Sequence, residues 1–192
     1  MHIKQEMVDF VINLLKTKIP KTYYYHNVGH TLYVVDNVVK IGNAENCTDN
    51  EIELLKVAAL WHDTGYINIY TGHEAESCKL SRKYLPGYGY HENDIEKICG
   101  MIMATKIPND PHNKLEEIIV DADLEYLGTD QAAIIAYNLF RELKQLNPQL
   151  TTEAWSKTEI EFLEDHRYFT KYCIKNRQPN KMAYLKSLLK DV

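Results

Sequence analysis

Apolar residues along this chain return every third or fourth position, and no segment sustains the two-residue alternation of a half-buried strand. That regularity confines the fold to helices packed on helices. Val8, Val11, Ile12 and Leu15 mark a first apolar face, which ends before Pro20. A second helix is expected from about Gly29 to Ile41, stopping at Gly42. Thr48 followed by Glu51 is a capping-box pattern. It should open a third helix carrying Ile52, Leu55, Ala59 and Trp61, closed by Thr64-Gly65. Two more helices are predicted at about His73–Tyr84 and Glu92–Ala104, and a sixth at about Leu115–Leu124. A seventh should run from a cap at Asp130 to Leu146, and a long eighth from a cap at Thr152 to Asn176. A ninth follows Pro179. No repeat, low-complexity run or long linker divides the chain. The expectation is one all-α bundle spanning residues 1–192, with its functional core at about 20–130 and the helices of about 130–192 completing it.

Several classes are excluded early. Uninterrupted apolar runs are short, Val57–Trp61 for instance having five residues, whereas a bilayer-spanning helix needs about 20. Lys4, Glu6, Asp9, Lys16 and Lys18 interrupt the first twenty residues, as in an amphipathic helix and unlike a secretory signal. Cys47, Cys78, Cys99 and Cys173 are scattered without a C-x-x-C pair, as reduced packing residues are. These features point to the cytosol and away from membranes. The net charge is -5, but residues 166–192 carry seven Lys/Arg against one acid. The acidic remainder argues against general nucleic-acid binding, which needs a broad basic face. The basic tail could attract a phosphorylated small molecule, although Arg167, Lys171 and Lys175 also step by four, as a solvated helix face does.

The chemistry concentrates at His26, His30, His62, Asp63 and Asp123. His62-Asp63 closes a helix otherwise rich in Leu, Val and Ala. Two adjacent polar side chains buried there need partners, since an unsatisfied polar group costs roughly 2–7 kcal/mol. A divalent cation meets that need, because imidazole and carboxylate together suit Mn, Fe, Zn, Co or Ni, and carboxylate also suits Mg. His30 opens one helix, His62-Asp63 ends another and Asp123 ends a third, so three helix ends could converge on one ion. His73, Glu74 and Glu76 head the next helix, where they could orient water or a second ion, although acids there also suit the helix dipole. Lys106, His166, Arg177 and Lys181 are candidates to meet a substrate phosphate.

Tyr25-His26-Asn27-x-x-His30, then His62-Asp63, then Asp121-x-Asp123, resembles the HD-domain superfamily of metal-dependent phosphohydrolases. The opening motif is also similar to that of class I cyclic-nucleotide phosphodiesterases, which share the fold. The resemblance implies an HD/phosphodiesterase-like helical bundle. It places His30, His62, Asp63 and Asp123 on one firm metal site, with Asp63 able to bridge to a second ion. It places His26 where the phosphodiesterases hold the acid that protonates the leaving oxygen. His73 matches one position of the two-histidine second site found in other HD branches, but Ala104-Thr105-Lys106 stands where the other histidine would be. The implied activity is hydrolysis of a phosphate ester or anhydride, of a nucleotide by analogy, with a metal-activated water. The alternatives are a cyclic-nucleotide phosphodiesterase and a non-catalytic nucleotide- or metal-binding sensor.

Overall fold

A computed structural model describes residues 3–190, and among them every regular element is helical. The order is α1 (Gln5–Lys18), α2 (Val28–Ala44), α3 (Asp49–Trp61), α4 (His73–Tyr84), α5 (Glu92–Ala104), α6 (Lys114–Asp123), α7 (Ala132–Leu146), α8 (Thr152–Asp165), α9 (Lys171–Asn176) and α10 (Gln178–Leu188). Short 3-10 turns at Thr64–Ile67, Leu85–Tyr88 and Glu125–Gly128 punctuate them.

The core forms where apolar stripes meet. α3 contributes Leu54, Leu55, Val57, Ala58 and Trp61, all buried against Val34, Val38 and Ile41 of α2. Ile98 and Ile102 of α5 and Ile118 and Ile119 of α6 close the other side. Burying one such side chain is worth roughly 1.5–3 kcal/mol, so this layer dominates stability. On α1 the buried stripe is Met7, Val11 and Leu15. Val8 and Ile12 are only half-buried, so the helix is rotated slightly from the predicted face. A second, smaller cluster joins Tyr25, Leu124, Tyr126 and Leu127 to Leu163 of α8 and Leu185 of α10.

Caps set where the site-bearing helices begin. The Asn27 side chain accepts from Gly29 N (2.8 Å) and His30 N (3.4 Å), which starts α2 and fixes His30 in its first turn. The capping box of Thr48 and Glu51 is present at the start of α3. α2 passes through Gly42 and ends at Ala44, because Gly42 packs within α2 against Ile52 and Leu55. Asp130 does not cap α7: the chain leaves the turn at Glu125–Gly128 through Thr129, whose carbonyl accepts from Ala132 N. α8 is capped by Thr151, one residue before the predicted position.

The predicted long eighth helix is two helices. α8 ends at Asp165, residues 166–170 are non-helical, and α9 starts after its Thr170 cap. No proline or glycine lies between them. The break is made from a distance. The Asp121 carboxylate accepts from Phe169 N (3.0 Å), Thr170 N (2.8 Å) and Thr170 Oγ1 (2.6 Å). The Lys181 ammonium, on α10, donates to the carbonyls of Leu163 (2.9 Å) and His166 at the end of α8. Asp121→Ala should therefore destabilise the fold by about 3 kcal/mol, because it strands two buried donors and one half-buried one. Thermal or urea unfolding checks this, and a change under 1 kcal/mol would refute the anchoring role.

Candidate metal centre and its cavity

The turn after α3 is built to present two side chains. Thr64 Oγ1 donates to Trp61 O (2.8 Å), and Ser77 Oγ, on α4, donates to His62 O (2.5 Å) while accepting from Gly65 N (2.8 Å). Gly65 lies so close to α4 that a Cβ there would fall 2.0 Å from His73 O and 2.9 Å from Ser77 N. Both neighbours are backbone and cannot yield. Gly65→Ala should cost about 3 kcal/mol or more and lower Tm by roughly 10 °C. Calorimetry checks it, and an unchanged Tm would show that the two segments are free to separate.

Three helix ends meet at this turn. His30 Nε2 lies 3.0 Å from Asp123 Oδ1 and 3.4 Å from Asp63 Oδ2. His62 Nε2 lies 3.2 Å from Asp63 Oδ2 and 3.6 Å from Asp123 Oδ1. The donor atoms of His30, His62 and Asp123 all fall within 4.8 Å of one another, a group that could hold a metal ion. His62 Nδ1 faces Ala59 O at 2.7 Å, which assigns its proton to Nδ1 and turns the Nε2 lone pair inward. His62 Nε2 and Asp63 Oδ2 are buried and make no well-formed hydrogen bond, only the ion-pair contacts just given. That pair of orphaned atoms, one nitrogen and one carboxylate oxygen, fits a divalent cation.

Electrostatics agree with that reading. Burial disfavours the charged form of His62, yet Asp63 and Asp123 hold it well above the usual histidine range. Burial likewise works against ionised Asp63 and Asp123, but His62 holds Asp63 well below the carboxylate range, and the His30 and His62 imidazoles hold Asp123 low. Protons and a cation thus compete for the same atoms. His73 adds Nε2 at 3.4 Å from Asp63 Oδ1, and its ring stacks on Tyr66 at 3.8 Å. Burial lowers its pKa, and Asp63 more than restores it.

His26 sits at the edge of the group. Glu142, on α7, is buried and accepts from Tyr25 N (2.8 Å) and His26 N (3.0 Å). Its other oxygen pairs with His26 Nδ1 at 2.5 Å and accepts from Tyr70 OH at 3.1 Å. Burial opposes the Glu142 charge, but His26 and these amides keep it ionised below the usual range. His26 Nε2 faces Tyr66 OH at 3.0 Å. Glu142, Tyr66 and Tyr70 are residues that sequence reasoning missed. The one available signal was that Glu142 falls three positions after Leu139 on the inner side of an amphipathic helix.

A cavity of about 430 Å³ opens from this group. Asp63, Asp123, His26 and His73 line one end, with Glu74 beside His73 at 3.7 Å, and the exposed Lys106 is also part of the lining. Glu76 is turned away and held by Asn68 Nδ2 and Lys79 Nζ, both at 2.8 Å. The expectation of phosphate contact is not met at His166, Arg177 and Lys181, which lie outside the cavity lining. Arg177 is paired with Glu125, and Lys181 is buried against α8. His166 is pushed down to about 3 by burial and by Lys181.

Fold and site together define a class: all-helical bundles that gather histidine and aspartate from three helix ends into a group able to hold a metal ion. Residues 27–149 match the model of the HD domain, and the chain belongs to that family. Two solved structures share the fold. A predicted HD superfamily hydrolase from an uncultured Thermotogales bacterium is 18% identical, with a TM-score of 0.59 over 95% of this chain and 91% of its own. Bacillus subtilis YpgQ, in complex with ADP, is 16% identical, with a TM-score of 0.64 over 97% of this chain and 95% of its own. No curated protein sequence matches the chain. Among the described residues no helix is long and apolar enough to cross a membrane.

Proposed function

We propose that this protein is a metal-dependent phosphohydrolase acting on a phosphate ester or anhydride, with nucleotides as the substrate class. The observation that carries the reading is the pair of orphaned buried atoms, His62 Nε2 and Asp63 Oδ2, within a few ångströms of His30 and Asp123 at the end of an accessible cavity. His30, His62, Asp63 and Asp123 would hold the ion, and His73 would extend the set toward a second one through Asp63. A divalent ion held there supplies Lewis acidity, neutralising phosphoryl charge and making water nucleophilic near neutral pH. The protein's own groups do the rest. Glu142 holds the Nδ1 proton of His26 and orients the ring, so that protonated His26 presents Nε2–H to the leaving oxygen. Burial pushes the Tyr66 phenol up, so it stays a neutral partner for Nε2 until substrate takes its place. Lys106, exposed in the cavity lining, supplies a cation for the phosphate. The ADP held by the structurally similar Bacillus protein supports a nucleotide.

Metal analysis of the purified protein, followed by a screen of mono-, di-, tri- and cyclic nucleotides with Mn, Mg, Co and Ni, tests this. Chelator-treated protein should be inactive and regain turnover with one of these ions. Tight nucleotide binding without turnover under every ion would replace the enzyme by a sensor.

A further inference from the structure

The cavity has two chemically distinct ends, and only one of them is used by the chemistry proposed above. Away from the His/Asp group, α8 turns one face inward, carrying Trp155, Glu159, Phe162 and Leu163 at helical spacing. α7 faces it with Ala136, Leu139 and Leu143. This compartment is apolar and partly aromatic, and it holds one ionisable carboxyl group. Glu159 Oε1 accepts from Tyr184 OH at 2.5 Å, and the neighbouring Trp155 side chain favours its charge. An ionised carboxylate has about four acceptor positions, so acceptor positions remain for a ligand. Burial works against the Glu159 charge and raises its pKa. A carboxylate against such walls is costly unless donors meet it, and a few placed polar groups in an apolar pocket are what fix a ligand's orientation.

We propose that the α7–α8 end of the cavity is a base-binding compartment in which Glu159 accepts hydrogen bonds from the amino group of a purine. The proposal rests on the phosphohydrolase reading for where the phosphate lies, but the compartment is a separate structure. Trp155 and Phe162 give flat apolar surfaces for a ring, with Leu139 and Leu143 lining the cavity beside them. The volume of about 430 Å³ lies within the range of about 300–1,000 Å³ usual for small-molecule sites. An alkyl group would fill the same space while leaving the other carboxylate oxygen of Glu159 without a ligand donor. A purine without an amino group would do so too. Selection by a half-buried acceptor of this kind discriminates against analogues that lack the donor.

Nucleoside binding tests this without metal or turnover. Adenosine is compared with purine riboside, and guanosine with inosine, by NMR titration of the full-length protein. The amino-bearing member of at least one pair should bind about tenfold or more tightly. Glu159→Leu should abolish that preference while leaving the binding of the amino-free member within about twofold. Tyr184→Phe, which removes the internal donor and keeps the carboxylate, should retain the preference. Equal binding within both pairs, or an equal loss for both members in Glu159→Leu, would overturn the assignment. Turnover of p-nitrophenyl phosphate, measured on the same preparations with metal added, reports on the chemistry alone. Nucleoside discrimination with no turnover under any ion sinks the phosphohydrolase and spares the compartment. Turnover without discrimination does the reverse.

Discussion

Asp63→Asn should lower phosphoester turnover by about a thousandfold or more while the helical fold persists. The substitution keeps the size of the side chain and removes its charge. Asp63 Oδ2 is the oxygen that meets both histidines, at 3.4 and 3.2 Å, and Oδ1 faces His73 at 3.4 Å. One residue therefore faces His30 and His62 with one oxygen and His73 with the other. An amide places a neutral oxygen or an NH2 group in that position, and an NH2 cannot ligate. Bound metal per chain should fall with activity, and circular dichroism should stay unchanged. Wild-type turnover in Asp63→Asn with metal at full occupancy would remove Asp63 from the mechanism.

His26→Ala should act differently, because His26 is oriented by Glu142 rather than placed among the converging donor atoms. Metal content should stay nearly intact. Turnover of an ester with a poor alkoxide leaving group should fall by about a hundredfold or more, the usual range for a positioned general acid. An ester of p-nitrophenol needs little protonation and should lose far less. Glu142→Gln should reproduce a weaker form of the same pattern, since the Nδ1 partner becomes neutral. Equal losses for both esters, or loss of the metal itself, would recast His26 as a structural or ligating histidine.

Much of this was legible because it is local. The helices α3 to α6 follow periodicity, caps and Gly/Pro punctuation, and their ends fall close to the predicted residues. The resemblance pointed to the convergence of His30, His62, Asp63 and Asp123, and the structure supplies the reason: two of the three helix ends are fixed by signals one to four residues away, Asn27 for α2 and the Thr64-Gly65 turn for α3. What could not be read is what depends on distant partners. Nothing local marks the break at residues 166–170, which is made by Asp121 and Lys181. For the same reason the basic spacing of Arg167, Lys171 and Lys175 suggested a helix face that the structure divides. Glu142 reaches His26 across 116 positions, and only the tertiary packing of α7 reveals it.

The manner in which α3 and α6 end has a consequence for the order of events. Both helices point their C-termini at the cluster, with His62 at the cap of α3 and Asp123 the final residue of α6. Each terminus carries a partial negative charge of roughly half an elementary unit, felt within the last turn. The first turns of α2 and α4 bring the opposite partial charge to the same place with His30 and His73, so the helix ends offset one another, and the Asp63 and Asp123 carboxylates make the cluster a well for cations and a barrier to anions. A phosphate arriving first meets that barrier. On the phosphohydrolase reading proposed above, a bound cation would invert that potential, so the two carboxylates would favour metal first and phosphate second.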